Sequence, residues 1–324
     1  MTPAFLKAMA AAACTALAFI APAQAQGFPD KPIQLIVPFA AGSVTDVIAR
    51  AYGVEVARVL GQPVVVENRV GANGMIAAQT VARAKGDGYT LLFGTNSTNA
   101  ANMSLFKKLP YDQENDFVPV AYLGGLPSIV VVNPALPFKT LAEMVDYAKA
   151  NPGQLNYGAA SSSQRIASEM LSTVAGMKMT YVPYKSGQAA VVETISGQIE
   201  VFTGDVGITV AHVKSGKLRA LAVTSKQRTE MLPELPTVGE ALGQEGFEIV
   251  AWFGAFAPRG TPAPIVERLN AAFNAAVRTP ASRAKLEFVG LQPNAQSPAW
   301  AAKFVQAETR KWAKAVADAG IVPE

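Results

Sequence analysis

Three short loops of small polar residues are the part of the sequence best suited to chemistry, and that chemistry is anion binding. The first loop is Ala40-Ala-Gly-Ser-Val-Thr45, the second is Thr95-Asn-Ser-Thr-Asn99 and the third is Ala160-Ser-Ser-Ser-Gln164. Each follows a predicted strand and leads into a predicted helix, whose first N–H groups are unpaired and partially positive. Such loops can hold a carboxylate without a lysine. The alternative is that they are ordinary helix N-caps, which favour Ser, Thr and Asn for local reasons.

Residues that could perform catalysis are scarce. His212 is the only histidine and Cys14 the only cysteine. His212 lies in the apolar-periodic stretch VAHVKSG, which is typical of a surface helix turn. Most metal sites, and every Ser-His or Cys-His arrangement that does not use His212, are therefore excluded. The nucleophile elbow, the dinucleotide-binding fingerprint and the phosphate-binding loop are also absent. We predict no catalytic residue, no metal and no cofactor; an exported α/β enzyme would need residues that the sequence does not supply.

The N-terminus has the pattern of a secretory signal. Lys7 supplies a positive charge, residues 8–21 form an uncharged apolar run, and Ala23-Gln24-Ala25 supplies a small-x-small cleavage site. The run is shorter than the ~20 apolar residues that span a bilayer. We predict cleavage after Ala25, so that the mature chain begins at Gln26. An uncleaved membrane anchor and a lipoprotein modified at Cys14 are the alternatives.

Charge argues against nucleic acid as a partner. The chain has 28 Lys and Arg against 24 Asp and Glu, a net charge of +4. The basic residues are scattered instead of clustered with aromatic residues, so we predict no nucleic-acid binding. No apolar stretch after the signal approaches the length of a membrane span, and we expect a soluble mature protein.

The order of the predicted elements indicates an α/β protein with mostly parallel sheets, because strand-like runs alternate with helix-period runs. The first set begins with a strand at 33–38 and a helix at 45–60. A second set begins with a helix at 140–150 and a strand at 155–159. Separate strands are predicted at 118–123 and 129–132, around Gly124-Gly125-Leu126-Pro127.

Two such sets predict two lobes, each a sheet flanked by helices. We define lobe 1 as residues 26–125 plus 254–324, and lobe 2 as residues 126–253. The chain would then cross between lobes twice, with hinges near 124–128 and 250–254. The terminal helices would return to lobe 1.

Several stretches, taken in order, carry a family likeness. They are FPDKPIQLIVPFAAG-x-x-TDVIAR (28–50), VVVENRVGANGMIAA (64–78), GDGYTLLFG (86–94), LPYDQENDFVPVA (109–121), VPYKSG (182–187), GKLRALAVTS-x-x-R (216–228), LPTVGEA (235–241) and W-x-GAFAPRGTP (252–262). Over essentially the whole mature chain, the sequence resembles the solute receptors of tripartite tricarboxylate transporters, the Bug-type periplasmic binding proteins.

The resemblance implies a two-lobed Venus-flytrap receptor of the type II periplasmic kind. It also implies a small carboxylate ligand, gripped by backbone and hydroxyl groups of the loops between the lobes, with Phe39 as a roof. Carried over position by position, it implies the following contacts: Phe39, Ala41, Gly42, Ser43, Thr45 and Asp46 from the first loop and its flanks, Thr95, Asn96 and Ser97 from the second, Ala160, Ser161, Ser162, Ser163 and Gln164 from the third, and Asp205 near the cleft.

The loops depart from the family pattern at two places. Gly42-Ser43 stands where Gly-Gly is usual, and the third loop has serines and then Arg165-Ile166 where glycines and His-Leu are usual. Arg165 falls in the first turn of a helix, where the helix dipole disfavours a cation. We therefore hypothesise that its guanidinium pairs with a second carboxylate of the ligand. The alternative is a surface arginine bonded to Glu169 one turn later.

The resulting expectation is a periplasmic monomer that captures a small carboxylate and delivers it to membrane transporter subunits when its lobes close. A dicarboxylate, an aromatic acid or a pyridine carboxylate would fit. An alternative keeps the fold but presents the closed form to a membrane sensor kinase, and the sequence does not separate the two.

Overall fold

A computed structural model describes residues 27–323. The predicted signal, its cleavage site and Cys14 lie outside the described residues.

The chain begins with β–α units that build the sheet of lobe 1. In order, they are β1 (Ile33–Val37), α1 (Val44–Leu60), β2 (Val64–Asn68), a 3₁₀ turn (Ala72–Gly74), α2 (Met75–Ala82) and β3 (Thr90–Thr95). A π-helical turn (Ser97–Ala101) and the short helix α3 (Asn102–Leu105) follow β3 directly. The second loop is therefore buried and helical over most of its length, not an open surface loop.

A long strand then leads into the second set of elements. They are β4 (Phe117–Val132), α4 (Leu141–Ala150), β5 (Leu155–Ala159), α5 (Ser162–Ala175), β6 (Met179–Pro183), α6 (Gly187–Ser196), β7 (Val201–Asp205), α7 (Val206–Lys214), β8 (Arg219–Val223) and α8 (Val238–Leu242). The last part comprises β9 (Val250–Pro258), α9 (Ala263–Ala276), α10 (Pro280–Phe288) and α11 (Pro298–Asp318). Helix α9 packs on α1, and α11 packs on β4 and on the π-helical turn.

The strands form a sheet in the order β2-β1-β3-β9-β4-β7-β5-β6, with β8 also paired to β4. Within each set the strands are parallel: β1 pairs with β2 and β3, and β5 with β6 and β7. The connecting strands are antiparallel to their neighbours, since β9 runs against β3 and β4, and β4 runs against β7 and β8. The α/β fold expected from the alternating elements is therefore present.

Strand β4 is continuous, so the prediction of two separate strands around Gly124-Gly125-Leu126-Pro127 was wrong. Residues 117–127 pair with β9, and residues 128–132 pair with β7 and β8. Pro127 is the last residue paired with β9, so its missing N–H falls where the strand changes partner. Gly124 lies beside an irregularity in the pairing, at a φ of 139°, where a Cβ would come within 2.6 Å of the Gln292 carbonyl oxygen.

Two hydrophobic cores lie on opposite faces of the sheet, because alternate side chains of a strand point to opposite sides. In β4, Val130 and Val132 enter one core, whereas Ile129 and Val131 enter the other. Helices cover both faces. Of the helices in the described part of the chain, none is both long enough and apolar enough to cross a membrane.

Candidate functional site

Strand ends and helix starts from both lobes surround one cavity of about 70 Å³. Lobe 1 contributes Phe39, Ala40, Ser43, Val44, Thr45, Thr95, Asn96 and Ser97 to its wall. Lobe 2 contributes Ala160, Ser161, Ser163, Gln164, Lys185, Ser186, Gly187, Gln188, Asp205 and Ile208, and Ala251 and Phe253 of β9 complete the wall. The three loops singled out in the sequence therefore meet around the same space.

Eleven of the sixteen predicted contacts line this cavity. They are Phe39, Ser43, Thr45, Thr95, Asn96, Ser97, Ala160, Ser161, Ser163, Gln164 and Asp205. The other five, Ala41, Gly42, Asp46, Ser162 and Arg165, do not line it.

Four helices begin at the cavity, and their N-cap residues all line it. Ser43 Oγ accepts a hydrogen bond from the Asp46 N–H at 3.3 Å at the start of α1. Ser161 and Ser186 cap α5 and α6 in the same way, and Asp205 occupies the N-cap position of α7. Since each helix N-terminus carries a partial positive charge, the four together make the cavity attractive to an anion.

Asp46 positions the first loop instead of lining the cavity. Its Oδ2 accepts hydrogen bonds from the Gly42 N–H at 2.9 Å and from Arg50 Nε at 3.0 Å. Asn68 Nδ2 donates to Asp46 Oδ1 and to the Phe39 carbonyl, both at 2.9 Å. Burial alone would raise the pKa of Asp46, but the hydrogen bonds from Arg50, Gly42 and Asn68 together lower it. The carboxylate is therefore an ionised anchor for the loop.

The second loop contains two buried polar side chains whose hydrogen-bonding capacity the described residues do not fully use. Asn96 and Ser97 are each 1% exposed, and Asn96 Nδ2 and Ser97 Oγ have no hydrogen-bond partner among the described residues. Buried polar groups are almost always paired, and an unpaired one costs about 1–3 kcal/mol. Both residues line the cavity, so a molecule bound there would contact the second loop.

The third loop is fixed by its own side chains. The Gln164 N–H donates to Ser161 Oγ at 3.3 Å, and Gln164 Oε1 accepts from the Ala160 N–H at 2.9 Å. Ser162 is turned out of the cavity because its hydroxyl donates to Asn102 Oδ1 of α3 at 2.8 Å. That bond joins lobe 2 to lobe 1.

Arg165 lies outside the cavity, against strand β6. Its guanidinium carbon is 4.8 Å from the centre of the Tyr181 ring, a cation–π arrangement. Glu169, its predicted alternative partner, accepts a hydrogen bond from the Tyr157 hydroxyl. The structure therefore gives no support to a direct contact between Arg165 and a ligand in this cavity.

A fourth loop that was not predicted from the sequence lies at the start of α6 and is formed by Lys185, Ser186, Gly187 and Gln188. The missed signal was the pattern already used, a strand ending at Pro183 followed by a serine N-cap. Gln188 Nε2 donates to the Gly42 carbonyl across the cavity at 3.1 Å. Ala251 and Phe253 were also missed, because apolar residues inside a strand carry no sign of a binding role.

The cavity has the chemistry of a binding site. Lys185 and Asp205 are the only charged residues in its described wall, and burial raises the pKa of Asp205 to about 6. His212 lies in the last turn of α7 and does not line the cavity. In residues 27–323, no group of three His, Cys, Asp or Glu side chains is placed to hold a metal ion. The wall therefore offers hydrogen-bond donors to an anion and no nucleophile paired with a base.

Known proteins match this chain over most of its length. The family model described as tripartite tricarboxylate transporter family receptor matches residues 48–321. Protein BugT of Bordetella pertussis is 35% identical over 303 residues, which is 93% of each chain. The structure of R. palustris Rpa4515 with adipate has a TM-score of 0.87 and 34% identity, over 92% of this chain and 100% of that one. MatC from Rhodopseudomonas palustris with bound malate has a TM-score of 0.82 and 35% identity, over 89% and 100%.

These matches confirm the resemblance, the two-lobed periplasmic-binding-protein fold class and the prediction that the protein is a receptor and not an enzyme. The chain belongs to the tripartite tricarboxylate transporter receptor family of periplasmic solute-binding proteins.

Proposed function

We propose that this receptor captures a small carboxylate in the cavity between its lobes and delivers it to the membrane subunits of a tripartite tricarboxylate-type transporter. The observation that carries the proposal is that two buried atoms of cavity-lining residues, Asn96 Nδ2 and Ser97 Oγ, have no hydrogen-bond partner within residues 27–323. Both residues line the cavity at which four helices begin. A carboxylate would accept hydrogen bonds from both atoms and lie in the positive field of the helix ends.

The expected strength of such binding is biologically useful. A hydrogen bond to a charged group contributes about 1.5–3 kcal/mol. Four of them, after the cost of ordering the ligand, reach the scale of about −8 kcal/mol that corresponds to micromolar affinity. The adipate and malate in the two structural neighbours are both dicarboxylates, which supports a carboxylate as the class of ligand.

The proposal includes the lobe boundaries, 26–125 plus 254–324 against 126–253, and closure of the lobes around the ligand. The change of partners in β4 between residues 127 and 128, and the start of β9 at Val250, support hinges near 124–128 and 250–254. Two hydrogen bonds between the lobes, from Ser162 to Asn102 and from Gln188 to Gly42, would form as the lobes close. Ligand contacts with both lobes would then favour the closed form.

The direct test is calorimetry of the mature chain, expressed from Gln26, with a panel of aliphatic dicarboxylates, aromatic acids and pyridine carboxylates. Asn96→Asp keeps the shape of the side chain but turns a donor into a negative charge, so it should abolish binding of any acid that the wild type binds. Asn294→Asp is the matched control, because Asn294 is exposed, lies outside the cavity and uses only its acceptor oxygen, toward Gln296. Undiminished binding to Asn96→Asp would contradict the proposed site.

The membrane partner can be identified in the same preparation. Solubilised membranes should yield transporter subunits on a column of ligand-loaded receptor, and less on a column of empty receptor. Recovery of a sensor kinase instead would favour the signalling alternative. Light scattering of the purified protein tests the expected monomer.

A further inference from the structure

Asp205 differs from the other three N-cap residues at the cavity. Ser43, Ser161 and Ser186 each accept a hydrogen bond from the first turn of their own helix. Asp205 holds the same position at the start of α7, yet its side chain makes no such bond. Aspartate is among the residues that cap helices best, so the geometry forgoes a favourable local contact.

The carboxylate of Asp205 also lacks a donor from elsewhere. No described residue donates a hydrogen bond to it, although the residue lines the cavity. Lys185 is the other charged residue of the wall, and it is exposed and forms no ion pair with a described residue. Burial, with no contribution from a neighbouring charge, raises the pKa of Asp205 to about 6.

Burial without a hydrogen-bond donor among the described residues disfavours the charged form of this carboxylate. A ligand group that donates a hydrogen bond would remove this penalty, whereas a second ligand carboxylate would be repelled. The cavity therefore has two chemically distinct parts: donors at Asn96, Ser97 and the helix N-termini, and an acceptor at Asp205.

We propose that Asp205 receives a hydrogen-bond donor of the ligand, so that the ligand is a small carboxylate that also carries a hydroxyl or ammonium group. This inference rests on the proposed function, because it assigns the second part of the same site. It separates acids that carry such a donor from plain dicarboxylates of equal length.

Matched acids test the inference directly. Succinate, malate and aspartate differ only in the group on one carbon, as do glutarate, 2-hydroxyglutarate and glutamate. We expect the hydroxyl or amino acid of at least one set to bind about ten- to a hundredfold more tightly than its plain dicarboxylate, the range that corresponds to one charge-assisted hydrogen bond. Asp205→Asn should remove most of that preference and change the affinity for the plain dicarboxylate far less. Asp146→Asn, the same change at an exposed site in lobe 2, should leave all affinities unchanged.

The pH dependence of ligand affinity distinguishes a direct contact with Asp205 from a purely structural role of this residue. The preferred acid should bind more tightly as the pH rises through about 6, because ionised Asp205 is the better acceptor. If Asp205 instead shared a proton with a carboxyl group of the ligand, the affinity would fall as the pH rises. Over this range Asp46, whose pKa is lowered, stays ionised, and Lys185 is the only other charged residue in the described wall of the cavity.

Ligand-free protein supplies the second measurement. The pKa of Asp205 is higher in the folded protein than its ordinary value of 3.8, so its ionisation destabilises the folded state as the pH rises from about 4 through 6. Asp205→Asn should therefore raise the melting temperature at pH 8 and leave it unchanged at pH 4. A lower melting temperature at pH 8 would mean that the carboxylate stabilises the empty fold, which would overturn the inference.

The outcomes separate the two proposals. If none of the six acids nor the wider panel binds, the proposed function fails and the inference fails with it. If plain dicarboxylates bind as tightly as their hydroxyl and amino counterparts, and Asp205→Asn changes nothing, the inference alone is overturned. A preference that Asp205→Asn removes supports both.

Discussion

The hydroxyl of Ser162 donates a 2.8 Å hydrogen bond to Oδ1 of Asn102, and both side chains are buried. Ser162 begins α5 in lobe 2, whereas Asn102 begins α3 in lobe 1. Nδ2 of Asn102 donates to the Asn73 carbonyl at 3.1 Å, which fixes the orientation of the amide. The two lobes are therefore joined by a buried polar contact that does not involve the cavity wall.

Replacement of Ser162 by alanine should weaken ligand binding about three- to tenfold. The bond would exist only in the closed form, so the substitution would destabilise that form and not the open one. A hydrogen bond of this kind contributes about 0.5–1.5 kcal/mol. Calorimetry with the best-binding acid measures the effect. Ser172→Ala is the control, because Ser172 is also buried in α5 but donates to Ser168 within the same helix. An equal loss of affinity in both variants would mean that the helix, and not the contact between lobes, is responsible.

Much of the fold could be predicted because local signals and tertiary structure agree. Strand β5 was predicted at its observed residues, 155–159, between a helix ending at Asn151-Pro152-Gly153 and the serines of the third loop. Strand β4 was predicted as two pieces because Gly124, Gly125 and Pro127 are usually strand breakers. The pairing with β9 on one side and with β7 and β8 on the other keeps the strand continuous, and a single sequence does not reveal such partners.

The site was predictable where a loop follows a strand and caps a helix. Ser43 and Ser161 were found in that way, and Ser186 could have been. The directions of side chains were not predictable. Ser162 lies in the third loop but bonds to Asn102 of the other lobe, and Asp46 lies directly beside the first loop and anchors it with the help of Asn68. A single sequence does not reveal these contacts because both partners are distant along the chain.

Asp46→Asn should destabilise the protein at neutral pH but not in acid. The pKa of Asp46 is lowered in the folded protein, so its contribution is present above the unfolded value of 3.8 and is lost as the pH falls through the lower folded value. We expect about 1 kcal/mol at pH 7, a modest figure because Arg50 is half exposed and its charge is screened. Urea unfolding at pH 7 and pH 3 measures it. The same loss at both pH values would contradict an ionised anchor, and Asp146→Asn should show no loss at either.

Gly94→Ala should reduce both stability and ligand affinity. A Cβ at Gly94 would lie 2.4 Å from Asn99 Oδ1 and 2.5 Å from the Phe256 ring, so the second loop would have to move. Overpacking of this kind costs about 1–3 kcal/mol. Gly246→Ala is the control, since a Cβ there meets nothing within 4 Å. Thermal unfolding measures the loss of stability, and calorimetry measures the loss of affinity. An unchanged melting temperature for Gly94→Ala would contradict the expected overpacking at the end of β3.

Arg165→Ala should lower stability slightly and leave ligand affinity within about twofold of the wild type. The guanidinium lies over the Tyr181 ring and outside the cavity wall, and a cation–π contact of this kind contributes about 0.5–1 kcal/mol. A double-mutant cycle with Tyr181→Leu, measured by urea unfolding, should show that the two losses are not additive, because the residues are in contact. Calorimetry on the same variants decides the question raised by the sequence. A tenfold or greater loss of affinity in Arg165→Ala, without a matching loss in Tyr181→Leu, would restore Arg165 as a direct contact of the ligand. Equal small losses of affinity in the two variants would mean that Arg165 supports β6 and does not contact the ligand. The anion would then be bound by helix N-termini and the second loop alone.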